Sequence, residues 1–507
     1  MNADERTWVQ RLFGLPDPDA PGYLWPRFIF LRALGLIFLS AFVSLAFQIH
    51  GLIGSQGILP VATYLDQIRD VASGFQRIRI APTLLWIDSS DSALTGLVAA
   101  GLVASVLLTC NVWPRLSAAL STLFFMSCVG ALQDFSSYQS DGMLLEAGTI
   151  AVFFAPRGIF PGLGAHDPPS FASLFLLRWE WFRIYFESGV VKLLSGDPQW
   201  RNLTAMDHYY ENGPLPTWIG WYAQQRLPHV FHAATALATL VIELGLVWML
   251  FLPRRLRIAC FCIVTPLQIG IILTANYAFL NYLVLSLGVL LLDDRVFARL
   301  GLRAPRQEVA PGAAWRVWVS ALALTWILYA TVVTFPLFRP RGPLGAPARI
   351  LAPFRVANAY GLFAVMTRAR YEIEFQGTAD GTTWRPYPFR FKPQDPAERP
   401  GIYAPYQPRF EWNLWFASLG PWRESSWVVL AQARLLEGSP DVLRLFRYDP
   451  FAGTPPRAVR TVLWRYWFTD PATKQRTGRW WERKELGTFS GVVERAADGQ
   501  MVVRGAP

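Results

Sequence analysis

Residues 179–228 read WEWFRIYFESGVVKLLSGDPQWRNLTAMDHYYENGPLPTWIGWYAQQRLP. The first third is apolar enough to enter a membrane, yet it carries Glu180, Arg183, Glu187 and Lys192. The rest is a loop crowded with Trp, Tyr, Asp and Pro. Charged groups at membrane depth are costly and need partners, so they mark packed or functional positions. On a helix, Glu180, Arg183 and Glu187 lie three and four residues apart and share one face. That spacing predicts either an ion-pair cluster that locks helices together or a site for a ligand, a proton or a client protein.

The rest of the chain agrees with a membrane setting. Of its 507 residues 52% are hydrophobic and 16% charged, and mean hydropathy is +0.25. An ordinary soluble protein is about a quarter charged. About 20 apolar residues cross a bilayer as a helix. Apolar runs lie at 28–47, 93–110, 116–132, 142–156, 171–195, 229–252, 258–275, 277–292 and 315–335. The pattern predicts a polytopic α-helical membrane protein with about nine transmembrane helices. Pro114 in the short NVWPR connection predicts a helical hairpin. The fourth run carries Glu146 just after Asp141, so it is expected to pack against other helices. Residues 48–92 read as a long connection.

Four regions follow: a cytoplasmic N-terminal segment (1–27), a transmembrane domain (28–336) with an external loop (196–228), a Pro- and Arg-rich linker (337–355), and a soluble domain (356–507). In the last, YEIEFQ (371–376) alternates, Asp380-Gly381 gives a hairpin turn, and TWRPYPFRF (383–391) returns. Pro386 and Pro388 push that second strand to a sheet edge. Residues 411–419 and 425–447 read as helices, and 461–470 and 479–489 as a second strand pair. A C-terminal, extracytoplasmic, β-rich α+β domain is expected. Arg254, Arg255 and Arg257, and then Arg295, Arg299, Arg303 and Arg306, bracket two spans. By the positive-inside rule both clusters are cytoplasmic, as is the N-terminus.

Several function classes drop out. Nearly all of the net charge of +11 lies after Arg339, but it is interleaved with acids and carries no binding motif, so no nucleic acid is expected. A lipid surface or an acidic client fits better. Cys110, Cys128, Cys260 and Cys262 read as four buried small hydrophobes, without a disulfide framework or C-x-x-C. No nucleotide loop, zincin helix or nucleophile elbow occurs, and no cofactor is expected. Asp207, His208 and Glu211 lie close enough in MDHYYE to suggest a metal, but a structured loop explains them as well. His229 and His232 fit a helix-end interface. Asn276 fits a turn, and Asn281 polar packing between helices. The loop aromatics Trp200, Tyr209, Tyr210, Trp218, Trp221 and Tyr222 fit either an interfacial aromatic belt, Trp218 and Trp221 above all, or a client-binding surface. Asn202-Leu-Thr204 is a sequon on the external side. The Arg-rich, Lys-poor composition predicts a bacterial inner-membrane protein, with the endoplasmic reticulum membrane as the eukaryotic counterpart.

The stretch FESGVVKLLSGDPQWRNLTAMDHYYENGPLPTWIGWY resembles the signature loop of the lipase maturation factors. The resemblance continues in SYQSDGMLLEAG (137–148), ANYAFLNYL (275–283), NAYGLFAVMTRARYEI (358–373), APYQPRFEWNLWFASLG (404–420), LLEGSPDVLRL (435–445) and TVLWRYWFTD (461–470). It implies a multi-span, non-enzymatic protein that helps secreted or membrane-associated lipases reach their active form. It carries over no established residue roles, and the client-binding or structural candidates are the charged and aromatic residues in and beside that loop: Glu180, Arg183, Glu187, Asp197, Trp200, Arg201, Asp207, His208, Tyr209, Tyr210 and Glu211. A shorter stretch, YFESGVVKLLSGDPQW, is similar to the vitamin K-dependent carboxylases, with Lys192 at the place of their catalytic lysine. That similarity implies an alternative: a membrane enzyme using Lys192 and Glu187 for acid/base work. Otherwise Lys192 is expected to snorkel to the interface.

Overall fold

The computed structural model describes residues 12–13, 22–136, 138–307, 314–337, 342–496 and 498–505. Most of the N-terminal segment, residues 338–341 at the start of the linker, and Pro507 lie outside the described residues.

Helices form at all nine apolar runs. They are α1 (Leu24–Ile53), α2 (Asp91–Thr109), α3 (Pro114–Ala131), α4 (Gln139–Phe154), α5 (Phe171–Leu194), α6 (His229–Leu244), α7 (Arg254–Thr274), α8 (Leu280–Gly288) and α9 (Ala314–Val333). Among the described residues five helical stretches are long and apolar enough to cross a membrane: Leu24–Ile53, Asp91–Thr109, His229–Phe251, Arg254–Thr274 and Trp315–Val333. The count of nine crossings is therefore not reached on length and composition. α4 and α8 are short, and α5 carries five charged residues, Arg178, Glu180, Arg183, Glu187 and Lys192. The expected α2–α3 hairpin forms, with Pro114 at the first turn of α3 and Trp113 turned left-handed before it. The connection 48–92 is not plain loop, for it holds helices Val61–Val71 and Phe75–Ile80. Their exposed Val71, Phe75, Ile78 and Ile80 give them an apolar outer face. Cys128 and Cys260 are buried, but Cys110 and Cys262 are exposed, because they lie on outward surfaces of α2's end and α7.

At one end of the bundle Arg27 donates to the carbonyls of Leu163, Gly164 and Asp167, and Arg157 pairs with Asp167 at 2.8 Å. Arg254 pairs with Asp293, and Asp294 accepts from the first amides of α1 at 2.8–3.0 Å. The opposite end meets the C-terminal domain.

That domain is a six-stranded antiparallel sheet in the order β2-β1-β3-β5-β6, with β4 also paired to β3. The strands are β1 (Arg370–Thr378), β2 (Trp384–Pro386), β3 (Ala458–Phe468), β4 (Trp481–Thr488), β5 (Val492–Arg495) and β6 (Met501–Arg504). Pro386 ends β2 after three residues at the sheet edge, as its missing amide requires. Helices α10 (Arg409–Ala417) and α11 (Trp427–Glu437) pack on the sheet. The expected helix over 425–447 is broken, because Gly438 turns left-handed and Pro440 starts a separate turn. β1 does not alternate between core and solvent. It is central, and Arg370, Glu372, Glu374 and Gln376 are buried along with Ile373 and Phe375.

Among the described residues the linker is packed and not free. Ala346–Leu351 is helical and packs on α9, and one continuous apolar core runs from the membrane helices into the C-terminal domain.

Candidate functional site

The site is built on α5, which runs unbroken through Gly189 and presents two polar faces. The first carries Arg183 and Glu187. Arg183 is fully buried, pairs with Glu146 of α4, and lies 3.7 Å from Glu187. Its guanidinium donates to the carbonyl of Asn358 at 2.6 Å and stacks over the Tyr360 ring at 4.9 Å. Glu180 is fully buried as well, but neither of its oxygens accepts a hydrogen bond among the described residues. The expected three-residue cluster is thus an Arg183 pair with Glu146 and Glu187.

Asn358 and Tyr360 belong to a strap, residues 355–367, that leaves the C-terminal domain and wedges against α4 and α5. Its backbone is irregular, and buried irregular backbone needs partners from elsewhere. The sequence supplies them one by one. Glu146 accepts from the Asn358 amide at 3.0 Å and the Tyr360 hydroxyl at 2.8 Å. Glu187 accepts from the Tyr360 amide at 2.5 Å, Gln139 from Gly361 at 3.0 Å, and Ser188 from Leu362 at 3.2 Å. Asp197 accepts from Met366 at 2.7 Å, and the Trp200 indole donates to Phe363 at 3.0 Å. Gly142 makes the approach possible, since a Cβ there would lie 2.7 Å from the Asn358 side chain. The buried charges of α4 and α5 therefore hold a strap from the other domain.

The second face of α5 carries Lys192, five residues beyond Glu187 and so turned by about 140° from it. Lys192 does not snorkel. It is buried and bonded to both oxygens of Glu243 on α6, at 2.7 and 2.8 Å. Gly189 allows this, since a Cβ there would lie 2.9 Å from the Cβ of Glu243. Trp200 stacks over the ammonium at 5.1 Å. Beside the pair Tyr185 donates to Gln268 at 2.9 Å, and Gln268 donates to Asn281 at 2.8 Å. These groups face a cavity of ≈ 650 Å³ walled by α5, α6, α7, the loop and the strap.

The loop 196–228 is largely covered. Tyr209, Tyr210, Trp200 and Trp221 are buried, so they do not form an open client surface. Trp221 is no belt residue either, because its indole donates to Thr469 and packs on Trp480. Asp197 caps the short helix Pro198–Arg201. Glu211 accepts from the Phe468 amide at 2.9 Å, and Arg370 donates to the carbonyls of Glu211, Gly213 and Pro214. Asp207 pairs with His229 and His208 with Glu211, each at 2.9 Å. The Glu211 partner favours the charged imidazole and raises the His208 pKa. The Asp207, His208 and Glu211 constellation is split into these two pairs, and among the described residues no three metal-ligating side chains converge. Arg201, Asn202 and His208 remain exposed.

Three anchors escaped the sequence reading. Asp141 pairs with Arg409 through two hydrogen bonds of 2.8 Å, fully buried. Asn276 is more than a turn residue, for it donates to Gly401 and accepts from Tyr403 and Ala404. Glu243 had a signal, a lone carboxylate in an apolar helix, but Asn358 and Arg409 look like ordinary polar residues of a soluble domain.

Residues 25–299 match the family profile described as the lipase maturation factor transmembrane domain, and residues 356–491 match the lipase maturation factor C-terminal domain. The chain belongs to the lipase maturation factor family. It is 32% identical to lipase maturation factor 1 of Mus musculus, over 92% of this chain and 87% of the relative. It is 31% identical to lipase maturation factor 2 of Gallus gallus, over 92% and 80%, and 29% identical to lipase maturation factor 1 of Bos taurus, over 94% and 93%. No solved structure matches the chain. The transmembrane match includes the stretch that carries the carboxylase-like similarity. In this member of the lipase maturation factor family both halves of that similarity have structural partners: Lys192 with Glu243, and Glu187 with the strap.

Proposed function

We propose that the chain is a membrane-embedded maturation factor that assists the folding of secreted or membrane-associated lipases without covalent chemistry. The observation that carries this reading is the interlocking of two family domains through the strap. The C-terminal domain is held in a fixed pose at one end of the helices, as a folding platform beside a membrane requires. Client contact falls to what the junction leaves exposed: Arg201 and His208 of the loop, and Val365 of the strap, which is 67% exposed. The arginine-rich opposite end supports an extracytoplasmic platform, in a bacterial inner membrane or its counterpart in the endoplasmic reticulum. Reporter fusions at Arg255 and Gly505 are expected on opposite sides of the membrane, and a shared side overturns that orientation.

The functional test is co-expression with candidate lipases, scoring both lipase activity and lipase mass. Activity per unit mass is expected to rise with the factor and to fall with Val365→Glu while the factor's own abundance holds. Equal activity per unit mass with and without the factor overturns the proposal for the lipases tested.

A further inference from the structure

The cavity beside Lys192 is walled in part by the strap but not filled by it, and it takes no part in the proposed client contact. Its volume of ≈ 650 Å³ lies within the roughly 300–1,000 Å³ of small-molecule sites. Its walls are mostly apolar, including Ile184, Val284, Ile271 and Phe363, with a few convergent polar groups. Its rim includes exposed Tyr222, Phe231 and Gly270. α6 and α7 flank it, and both lie in stretches of membrane-spanning length whose outward Leu237, Val241, Ile269 and Leu273 are exposed. A molecule dissolved in the bilayer therefore reaches the cavity sideways, between two lipid-facing helices.

The polar end of the cavity selects the head of such a molecule. An ammonium has three donors. Among the described residues the acceptors of Lys192 are the two oxygens of Glu243, and Trp200 covers the ammonium with a ring face. One N–H is left for an acceptor in the cavity. The other cation of the lining, Arg226, is exposed at the open side, so an anionic head at Lys192 would place two negative charges against one buried ammonium, and an uncompensated buried charge is expensive. An uncharged carbonyl or hydroxyl takes the N–H and leaves the Lys192–Glu243 pair balanced. The carboxamides of Gln268 and Asn281 offer further neutral partners on the same wall.

We propose that this cavity binds an uncharged lipid, with a carbonyl or hydroxyl head at Lys192 and an apolar chain running out between α6 and α7. The class includes glycerides and long-chain alcohols or ketones. The occupant of one site is independent of the lipase client, so the test uses labelling and not maturation.

The full chain in nanodiscs would be irradiated with a monoacylglycerol carrying a diazirine in its acyl chain. A long-chain alcohol and a free fatty acid with the same photolabel form the other arms. Labelling is expected on peptides from α6 and α7 and is competed by unlabelled monoacylglycerol. Equal labelling by the alcohol assigns the site to the general neutral head, and stronger labelling by the glyceride assigns it to glycerides. The fatty acid at about pH 8, where its carboxyl is ionised, is expected to label about tenfold less. Gly270→Phe fills the cavity without a backbone clash, because a Cβ at Gly270 meets nothing within 4 Å. Thr239→Trp fills it from α6. Each is expected to lower labelling about tenfold, while Leu237→Phe on the outward face leaves it unchanged. Labelling that ignores both filling variants, that spreads evenly over the outward faces, or that is as strong with the ionised fatty acid overturns the proposal.

Discussion

Lys192 lies in the last turn of α5, where a lysine commonly lays its stem along the helix and lifts its charge to the interface. The residue that changes its role is Glu243, 51 positions later, and nothing local to either residue announces the pairing. The sequence marks both as charges in apolar surroundings but cannot say that they face each other. The consequence is a revised expectation for substitution. Lys192→Met alone leaves Glu243 buried without its cation, and breaking a buried pair in this way costs about 3–5 kcal/mol. Abundance and thermal stability of the detergent-solubilised protein are expected to fall. Lys192→Met with Glu243→Met removes both charges and is expected to restore most of the loss, since replacing a whole buried pair with apolar groups is near neutral. A double variant as unstable as the single one would count against the pair as the cause. A snorkelling lysine predicts no loss in the single variant at all.

Elements were legible where one physical signal sufficed. Nine apolar runs became nine helices, and Pro386 placed β2 at an edge. β5 and β6 escaped because each is four residues long and leaves no room for a period of two to show. The burial of β1 escaped because its Glu and Gln residues imitate a solvent face. Their partners come from distant elements: Lys392 bonds Glu372 at 2.6 Å, and Gln394 bonds Glu374 at 3.1 Å. Glu411, in the first turn of α10, shows the same logic. It accepts from the amides of Arg390, Phe391 and Lys392 at 2.8, 2.9 and 2.6 Å and so clamps the segment after β2 onto the helix. Burial pushes its pKa from 4.5 up to about 7, although the three amides pull it down. With the folded pKa above the unfolded one, the folded state binds the extra proton between pH 4.5 and about 7. Its contribution is therefore most favourable below pH 4.5, declines as pH rises through that window, and is flat above it. Glu411→Gln is expected to flatten this part of the stability profile. Thermal midpoints measured from about pH 5 to 8 should show the wild type losing ground to the variant with rising pH, whatever the offset between them. A constant offset would place the titration elsewhere.

At the scale of the molecule, the short loops that carry Arg157 and Arg254 were legible as loops of one end, and both arginines are paired there with Asp167 and Asp293. The union of the two regions was legible only in part. The external aromatic loop 196–228 and the last domain were expected to meet, and Glu211 and Trp221 do bond to Phe468 and Thr469. The contacts made by the buried carboxylates go further. Asp141 is completed by Arg409, Glu146 and Glu187 by Asn358 and Tyr360, and Asp197 by Met366. Each of these carboxylates comes from the membrane helices or their loop, and each partner from beyond residue 355. A chain ending at residue 336 would leave Asp141 and Glu146 among apolar neighbours without those partners, and Arg183 without the Asn358 carbonyl. Stranding even one buried charge costs about 3–5 kcal/mol, a large share of ordinary stability. The truncated chain is therefore expected to insert but to be degraded, with a steady-state level far below that of the full chain in the same membranes. Arg409→Ala in the full chain separates this cause from simple loss of mass. It strands Asp141 alone and is expected to lower abundance markedly, and the pair change Arg409→Met with Asp141→Leu is expected to recover it. Pulse-chase measurement of all three chains decides the matter. A truncated chain as long-lived as the full one would mean that the helices satisfy their own charges, and that the strap is a lid on a finished bundle instead of a part of it.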